Sequence, residues 1–371
     1  MTNWFKTAMI GCAGGSGISR RSPDPLDEQR KKFSVQFDAS ATYNQSSMLS
    51  AGMPIPPPIG LSRTLLTWYS RHRRPLPWRE NRDPYRVWVS EIMLQQTRVG
   101  AVIEHYEQFL KQFPSLEALA SARRASVLAA WSGLGYYRRA RNLHAAAKLL
   151  VSRGKGNFPQ TSEQWEELPG IGRYTAAAIA SIAFDEPRAA VDGNVQRVLV
   201  RLLGERRPPR ALWQAAQQLV DPTRPGDFNQ AMMELGATIC MPSSPRCPKC
   251  PIESFCRSRG AAEPARQKLR PHRREITYGL ARTEHAVLLI RRDQGLSQMP
   301  GMWELPEVTP CYGAERPLFS LRHAITVTNF RVHVVEKQAP GPGIWVRISR
   351  LENLPLTGLT KKILRRAGII D

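Results

Sequence analysis

Four of the six cysteines lie close together, in the stretch "CMPSSPRCPKCPIESFC". They are spaced C-x6-C-x2-C-x5-C, at Cys240, Cys247, Cys250 and Cys256. Zinc sites usually combine two C-x2-C pairs or pairs of Cys and His, but here there is one C-x2-C and no His between the first and last cysteine. Four thiolates from one loop suit a [4Fe–4S] cluster. The spacing favours that cofactor, with zinc as the alternative, and such clustering argues against disulfides.

Basic residues accompany these cysteines and extend along most of the chain. Lys and Arg number 53 against 31 acidic residues, a formal net charge of +22. This excess indicates a polyanionic partner, most often nucleic acid, and the alternative is a solvated basic surface. Within the cysteine loop, Arg246 and Lys249 are candidate contacts to DNA phosphates. A cluster there would shape a basic loop, or serve only as a structural staple.

Two carboxylates stand in positions that could carry acid–base chemistry. Glu91 lies in the otherwise apolar stretch "VSEIMLQQT", and burial there would raise its pKa and keep it a proton donor near neutral pH. Asp192 opens a helix in "AAVDGNVQRVL", where it can act as an N-cap and be held ionised by the helix dipole. A proton donor paired with a carboxylate that stabilises a sugar cation is what cleavage of a glycosidic bond requires.

A glycine turn precedes Asp192 by about twenty residues, in "ELPGIGRYTAAAIASIAF". Its candidate DNA-binding residues are Leu168, Gly170 and Gly172. The two glycines permit positive φ and close approach of a ligand to the backbone. The following helix presents free N–H groups at its N-terminus, which suit a phosphate. We interpret the segment as a helix–hairpin–helix element that would grip the DNA backbone, although a G-x-G between helices can also be a plain turn.

The elements that carry these residues fall into several segments. Residues 1–58, rich in Ser, Gly and Pro, are expected to be disordered. Residues 59–258 show helical periodicity without strand signals and predict an all-α domain. A linker rich in charge and Pro is expected at 259–275. Residues 276–371 alternate strand patterns with a closing helix and predict a small α+β domain.

The helix that carries Glu91 has clear boundary signals. Asp83 is placed to cap it, Pro84 suits its first position, and Pro114 suits its end. Apolar residues recur at helical spacing throughout this stretch, so the pattern predicts one continuous helix.

Six ordered segments make the sequence resemble a known family. They are "LPWRENRDPYRVWVSEIMLQQTRV", "GLGYYRRARNL", "LPGIGRYTAAAI", "VDGNVQRVL", "FNQAMMELGATIC" and the cysteine spacing. Residues 61–258 resemble the helix–hairpin–helix DNA glycosylases with an iron–sulfur loop, and within them the MutY family of adenine DNA glycosylases.

The resemblance implies a role for particular residues of this chain. It implies that Glu91 protonates a flipped adenine and that Asp192 stabilises the sugar cation. Tyr174 and Asn194 match positions that line the catalytic pocket of the family. Flipping of the base is required because the glycosidic bond is unreachable while the base is stacked.

Two further residues match positions that act on the duplex itself. Gln96 and Tyr136 correspond to family residues that wedge into the DNA beside the lesion. Tyr174 stands where endonuclease III-like relatives carry a Lys that attacks the sugar. A phenol cannot form that imine, so a monofunctional glycosylase is expected. One alternative is a glycosylase of different specificity, which removes oxidised pyrimidines or, like the mismatch thymine glycosylases that also carry Tyr there, thymine. The other is an iron–sulfur protein that binds DNA without catalysis.

Residues 276–371 resemble the Nudix-like domain that follows the catalytic domain in this family. "MPGMWELP" matches its tryptophan segment, and the Mg²⁺-binding Nudix box is absent, so recognition rather than hydrolysis is expected. Where the family probes 8-oxoguanine with Phe-Ser-His, this chain has residues 325–327, with Thr326 as the candidate contact.

The expected partner is double-stranded DNA containing adenine opposite 8-oxoguanine or guanine. The alternative for the C-terminal domain is one that only adds contact area. No apolar run approaches the length of a membrane helix, and a cytoplasmic monomer is expected, associated with the nucleoid if the source is bacterial.

Overall fold

The computed structural model describes residues 60–154, 157–259, 272–293, 295–296, 299–309, 316–325, 328–337 and 342–370. The predicted disorder of residues 1–58 and the lesion-recognition candidate Thr326 therefore lie outside the described residues, as does most of the predicted linker. All described residues belong to one compact unit. No helix among them is long and apolar enough to cross a membrane.

Residues 60–259 are helical in the described part, and no strand occurs there, as the sequence predicts. The helices are α1 (Leu61–His72), α2 (Pro84–Leu94), α3 (Val99–Gln112), α4 (Leu116–Ser121), α5 (Arg124–Ala130), α6 (Arg138–Arg153), α7 (Ser162–Glu166), α8 (Arg173–Phe184), α9 (Gly193–Leu203), α10 (Pro209–Leu219) and α11 (Pro225–Thr238).

The signals at the start of α2 are confirmed. Asp83 caps the helix, its side chain accepting a hydrogen bond from the backbone N–H of Arg86 at 2.8 Å, and Pro84 is the first helical residue. The predicted single helix up to Pro114, however, is wrong. The chain leaves the helix after Leu94 and resumes it at Val99, because the carbonyls at the end of α2 are bonded by a side chain from α6 rather than by a continuing helix.

The helical domain contains two apolar cores. One is built around α2 to α8 and contains the fully buried Trp88, Trp131 and Trp165. The other joins α1 to the last three helices of the domain. Helix α8 packs against α2 on one side and α11 on the other, so the segment after the glycine turn lies where the two cores meet.

The C-terminal region is α+β, as predicted. Its elements are β1 (His272–Leu280), β2 (Ala286–Arg291), β3 (Trp303–Glu304), β4 (Phe319–Ile325), β5 (Thr328–Glu336), β6 (Ile344–Arg347) and α12 (Gly358–Arg366). One sheet has the order β1-β5-β4, with β1 parallel to β5, and the other has the antiparallel order β3-β2-β6. Both sheets and α12 share one apolar core. Strand β1 was not predicted, and its first four residues fall within the expected linker.

Candidate active site

The predicted catalytic residues converge on one cleft of about 780 Å³ where α2, α8, α9 and α11 meet. Its lining includes Glu91, Tyr174, Asp192 and Asn194, which are separated by up to about 100 positions in the chain. The volume is within the range of small-molecule pockets, roughly 300–1,000 Å³. Helix packing therefore brings together the residues that we predicted from the sequence to take part in cleavage of a glycosidic bond.

Glu91 is the buried acid of this cleft. Its side chain is on α2 and only 6% of the residue is exposed. Burial raises its pKa from the ordinary 4.5 to about 7, and the nearby charge of Asp192 adds to the rise. A hydrogen bond from Tyr174 and the charge of Arg79 oppose it. A substantial fraction of Glu91 is therefore protonated at neutral pH, as a proton donor requires.

Tyr174 forms a hydrogen bond with the Glu91 carboxyl group. Its hydroxyl donates to Glu91 Oε2 at 3.1 Å and lies 3.5 Å from the sulfur of Met233. Burial, followed by the negative charge of Glu91, raises the pKa of Tyr174 well above its ordinary value. The phenol is therefore a neutral hydrogen-bond donor in this cleft and holds the orientation of Glu91.

Asp192 is positioned by the start of α9. Its Oδ1 accepts from the backbone N–H of Val195 at 2.7 Å, and its Oδ2 accepts from the side-chain amide of Asn194 at 3.0 Å. The amide oxygen of Asn194 in turn accepts from Arg197 at 2.9 Å. These bonds fix the positions of both carboxyl oxygens of Asp192.

Three cleft residues were missed by the sequence reasoning. Glu234 is 1% exposed and accepts from Arg74 at 2.6 Å and from Arg79 at 2.9 Å. All three side chains line the same cleft. A signal existed, because Glu234 lies within an apolar helical stretch in one of the family-like segments, "FNQAMMELGATIC".

The glycine turn has the geometry of a tight hairpin before α8. Gly170 has φ +81°, and a Cβ there would lie 2.5 Å from the side-chain nitrogen of Asn142, so glycine is required. Gly172 is in an extended conformation with φ −106°, contrary to the expected positive φ, and a Cβ there would meet nothing within 4 Å. Leu168 is 3% exposed, so its side chain serves the core.

The two wedge candidates share an unusual backbone. Gln96 and Tyr136 have φ of +57° and +47°, the left-handed region that non-glycine residues rarely adopt. Gln96 lines the cleft, while the ring of Tyr136 is outside its lining and 47% exposed. Each stands at the tip of a short connection, Gln96 between α2 and α3 and Tyr136 before α6.

A buried arginine that the sequence reasoning missed ties these two connections together. Arg139 is 9% exposed, and burial lowers its pKa to about 10. It donates to the carbonyl of Gln95 at 2.6 Å and to the hydroxyl of Thr97 at 3.0 Å, on either side of Gln96. It also donates to the carbonyls of Leu134 and Gly135, next to Tyr136.

The four clustered cysteines line a second, smaller cavity and form no disulfide. Burial raises the pKa of Cys250 to about 11, so a bound cationic group would be needed to hold it as a thiolate. The buried guanidinium of Arg201 lies 3.3 Å from the sulfur of Cys240, a donor that suits anionic sulfur. Four thiols that line one cavity, with an adjacent cation, fit the type of ligand set that an iron–sulfur cluster needs.

The same loop exposes the two predicted phosphate contacts. Arg246 and Lys249 are both exposed, and neither forms an ion pair with another described residue. Among the described residues, no three or more His, Cys, Asp or Glu side chains are arranged to hold a metal ion. An iron–sulfur cluster at these cysteines therefore stays a prediction, supported by the shared cavity and by the thiol donors.

Comparison with known proteins agrees with this geometry. The family model described as "HhH-GPD superfamily base excision DNA repair protein" matches residues 89–222. An adenine DNA glycosylase of Rattus norvegicus is 51% identical over 211 residues, which are 53% of this chain and 41% of that protein. One of Arabidopsis thaliana is 40% identical over 331 residues, 74% of this chain and 52% of that protein. The chain thus spans about half the length of these curated relatives.

A solved structure covers the helical domain. The structure of a thermostable thymine-DNA glycosylase superposes on it with a TM-score of 0.50 and 32% sequence identity. The match covers 53% of this chain and 94% of the glycosylase chain. The shared helical fold, the family match and the sequence similarity agree with one another. The chain belongs to the HhH-GPD superfamily of base excision DNA repair proteins, within which its sequence is similar to adenine DNA glycosylases.

Proposed function

We propose that this chain is a monofunctional DNA glycosylase that hydrolyses the N-glycosidic bond of adenine opposite 8-oxoguanine or guanine. The observation that carries the proposal is the single cleft in which a buried Glu91, with a pKa near 7, faces Asp192. A proton donor and a second carboxyl group around one pocket suit a reaction whose transition state places positive charge on the sugar. The similarity to adenine DNA glycosylases supports adenine as the base.

The reaction follows from the protonation states. Glu91 donates its proton to the flipped adenine, and the electrons of the glycosidic bond leave with the base. Asp192, held by Val195 and Asn194, stabilises the sugar cation that remains. Water then adds to the sugar carbon and gives its proton to the Glu91 carboxylate, which restores the acid. Tyr174 keeps Glu91 oriented through both proton transfers.

Base removal without strand cleavage follows from the residue at position 174. A lyase step needs a nucleophilic amine on the sugar, and Tyr174 offers only a neutral phenol whose pKa is raised well above the ordinary value. The hydroxyl is also committed to Glu91. We therefore expect an intact but abasic strand as the product.

A [4Fe–4S] cluster held by Cys240, Cys247, Cys250 and Cys256 is part of the proposal. When bound, it would cross-link the loop through four iron–thiolate bonds. The loop would then hold Arg246 and Lys249 toward the DNA backbone, contacts that position the protein without reading sequence. Gly170 and Gly172 would let the DNA backbone approach the turn before α8 closely. No catalytic step passes through the cluster.

Recognition of the base opposite adenine is the role we propose for the C-terminal region. We propose that it is a Nudix-like recognition domain and that Thr326 contributes to its contact with 8-oxoguanine, although Thr326 lies outside the described residues. Gln96 and Tyr136 would enter the duplex beside the lesion. We further propose a monomer in the cytoplasm.

The test uses purified protein and labelled duplexes of one sequence that hold adenine opposite 8-oxoguanine, guanine or thymine, and thymine opposite guanine. The last duplex addresses the second candidate, thymine removal, which the structural match to a thymine-DNA glycosylase favours. Alkali converts abasic sites into breaks, so samples without alkali report lyase activity. Release of adenine from the first two duplexes, with breaks only after alkali, is the expected result. No release of adenine from either refutes the proposal.

Glu91→Gln tests the role of the acid. The variant should bind the same duplexes but release no adenine, because an amide cannot donate the proton. Glu167→Gln is the matched control, since its side chain is 63% exposed and is not part of the cleft lining. Full activity of Glu91→Gln would show that another group supplies the proton. Tyr174→Lys should add breaks without alkali.

A further inference from the structure

The loop Ser132–Tyr137, which we call the Tyr136 loop, is held in a strained conformation. Gly135 and Tyr136 are consecutive residues with φ of +68° and +47°. For a residue with a side chain the left-handed region is unfavourable, and it persists only where the surroundings impose it. The tyrosine side chain at the tip of this loop is 47% exposed. Something must therefore hold the loop in place.

Part of the support comes from the helical domain. The indole N–H of Trp131 donates to the carbonyl of Gly135 at 3.2 Å, and Arg139 donates to the carbonyls of Leu134 and Gly135 at 3.1 and 3.2 Å. The guanidinium carbon of Arg139 also lies 5.5 Å from the centre of the Tyr136 ring. These contacts fix the centre of the loop.

Both ends of the loop are supported by the C-terminal domain. The hydroxyl of Ser132 donates to the backbone carbonyl of Leu356 at 2.9 Å, and the hydroxyl of Tyr137 donates to the same carbonyl at 3.4 Å. Ser132 and Tyr137 are 5% and 4% exposed. Leu356 is fully buried in the core of the C-terminal domain, and its backbone N–H donates to Leu354 at 2.8 Å.

The contact between the two domains is buried. Met302 of the C-terminal domain is fully buried and belongs to the apolar core of the helical domain, and Ser132 and Tyr137 are themselves almost fully buried. A buried hydroxyl that loses its acceptor destabilises the conformation that buries it. Ser132 therefore relies on the carbonyl of Leu356 as its acceptor, and Tyr137, whose hydroxyl also interacts with the Ser132 side chain and the Gly133 backbone, shares that acceptor.

We infer that the C-terminal domain positions Tyr136 for entry into the duplex, through the bonds that Ser132 and Tyr137 make to the Leu356 carbonyl. The inference rests on the proposed function, in which Tyr136 is a wedge. It gives the C-terminal domain a task separate from contact with the opposite base. Ser132 and Tyr137 are positioning residues, because neither needs to touch DNA for this purpose.

The test removes only the hydroxyl groups of Ser132 and Tyr137. The double variant Ser132→Ala/Tyr137→Phe retains the aromatic ring and the backbone. The matched control is Tyr85→Phe, which removes a buried tyrosine hydroxyl that donates to the carbonyl of Phe113 at 2.8 Å in the same domain. Both proteins are used as full chains with duplexes that carry 2-aminopurine next to the target adenine, because its fluorescence rises when the wedge unstacks it.

We expect the double variant to lower the 2-aminopurine response and the single-turnover rate of adenine release by about tenfold, the range of one to two hydrogen bonds. Affinity for an undamaged duplex should not change. The control should show the wild-type response, whatever its effect on melting temperature. A double variant that behaves like Tyr85→Phe, or a wild-type protein that does not unstack 2-aminopurine, overturns the inference.

A mutant cycle with Tyr136 shows whether the double substitution lowers the 2-aminopurine response by acting on Tyr136. In a Tyr136→Ala background the double substitution should change the response by less than twofold, because the residue it positions is gone. Additive losses would overturn the inference. The proposed function fails separately, since wedge insertion requires no base release. A protein that unstacks 2-aminopurine but frees no adenine retains the positioning role and loses only the assigned chemistry.

Discussion

The buried carboxyl of Glu91 makes the stability of the protein depend on pH in a defined direction. Below pH about 4.5 the group is protonated in the folded and the unfolded protein. As the pH rises toward 7 the unfolded chain ionises, while burial keeps the proton on the folded form, so the free energy of unfolding falls. Above pH 7 both states are ionised and the loss is complete.

The size of this effect follows from the displaced pKa. Each tenfold change in an ionisation constant is worth about 1.4 kcal/mol, so a pKa moved from 4.5 to about 7 costs about 3 kcal/mol at high pH. Most of this loss, about 2 kcal/mol, develops between pH 5 and pH 8. It corresponds to about 4–8 °C in melting temperature for a domain of this size.

Glu91→Gln removes the titrating proton and keeps an oxygen that can accept from Tyr174. The stability of the variant relative to the wild type should therefore increase by about 2 kcal/mol between pH 5 and pH 8. Urea unfolding at several pH values and constant ionic strength measures the difference. Glu167→Gln, at an exposed carboxyl, controls for the chemical change.

The comparison to make is how the free energies of unfolding of the wild type and of Glu91→Gln change with pH. If the stabilities of the wild type and Glu91→Gln run parallel from pH 5 to pH 8, the fold does not hold a proton on Glu91, and its assignment as the acid is wrong. The measurement needs no substrate, so it tests the acid independently of the base that is removed.

Three further predictions concern other parts of the site. Tyr174→Phe removes a hydrogen bond that lowers the pKa of Glu91, so the pH above which base release declines should move upward in a pH–rate profile; an unmoved limb would contradict this coupling. Gly170→Ala should lower stability by about 2 kcal/mol in urea unfolding, because the site has φ +81° and a Cβ would strike Asn142; unchanged stability would disprove the requirement for glycine. Cys250→Ser should lower the iron and sulfide content and weaken DNA binding, and full retention of iron would remove this cysteine from the ligand set.

Local signals in the sequence predicted much of the helical domain. The cap at Asp83, the proline after it and the turn at Gly170 each depend on residues within a few positions, and all three are where the pattern placed them. The convergence of Glu91 and Asp192 on one cleft could be inferred only through the resemblance to a family, because periodicity does not say which helices meet.

The break between α2 and α3 depends on a residue distant in sequence. The carbonyl of Gln95 is bonded by Arg139, 44 positions later, and the apolar periodicity continues across the break. Arg139 itself looks like one of many surface arginines in a chain of formal charge +22. Only packing shows that it is buried.

Strand β1 was missed for a different reason. Its first residues, "HRRE", are exposed and charged, and burial begins only at its second half. It pairs in parallel with β5, more than fifty positions later, so no hairpin turn marks it. Charge and Pro nearby then favoured a linker over a strand.

The bond from Ser132 to the carbonyl of Leu356 spans 224 positions and has a consequence for synthesis. At about 5–20 residues per second, roughly 10–45 s separate the translation of its two ends. The helices that form the cleft precede Leu356 in the chain, so they can fold before the support for the Tyr136 loop exists. A ribosome that stops shortly before Leu356 would release a product with the complete cleft and an unsupported Tyr136. Late truncations should therefore yield proteins that bind DNA and open it poorly.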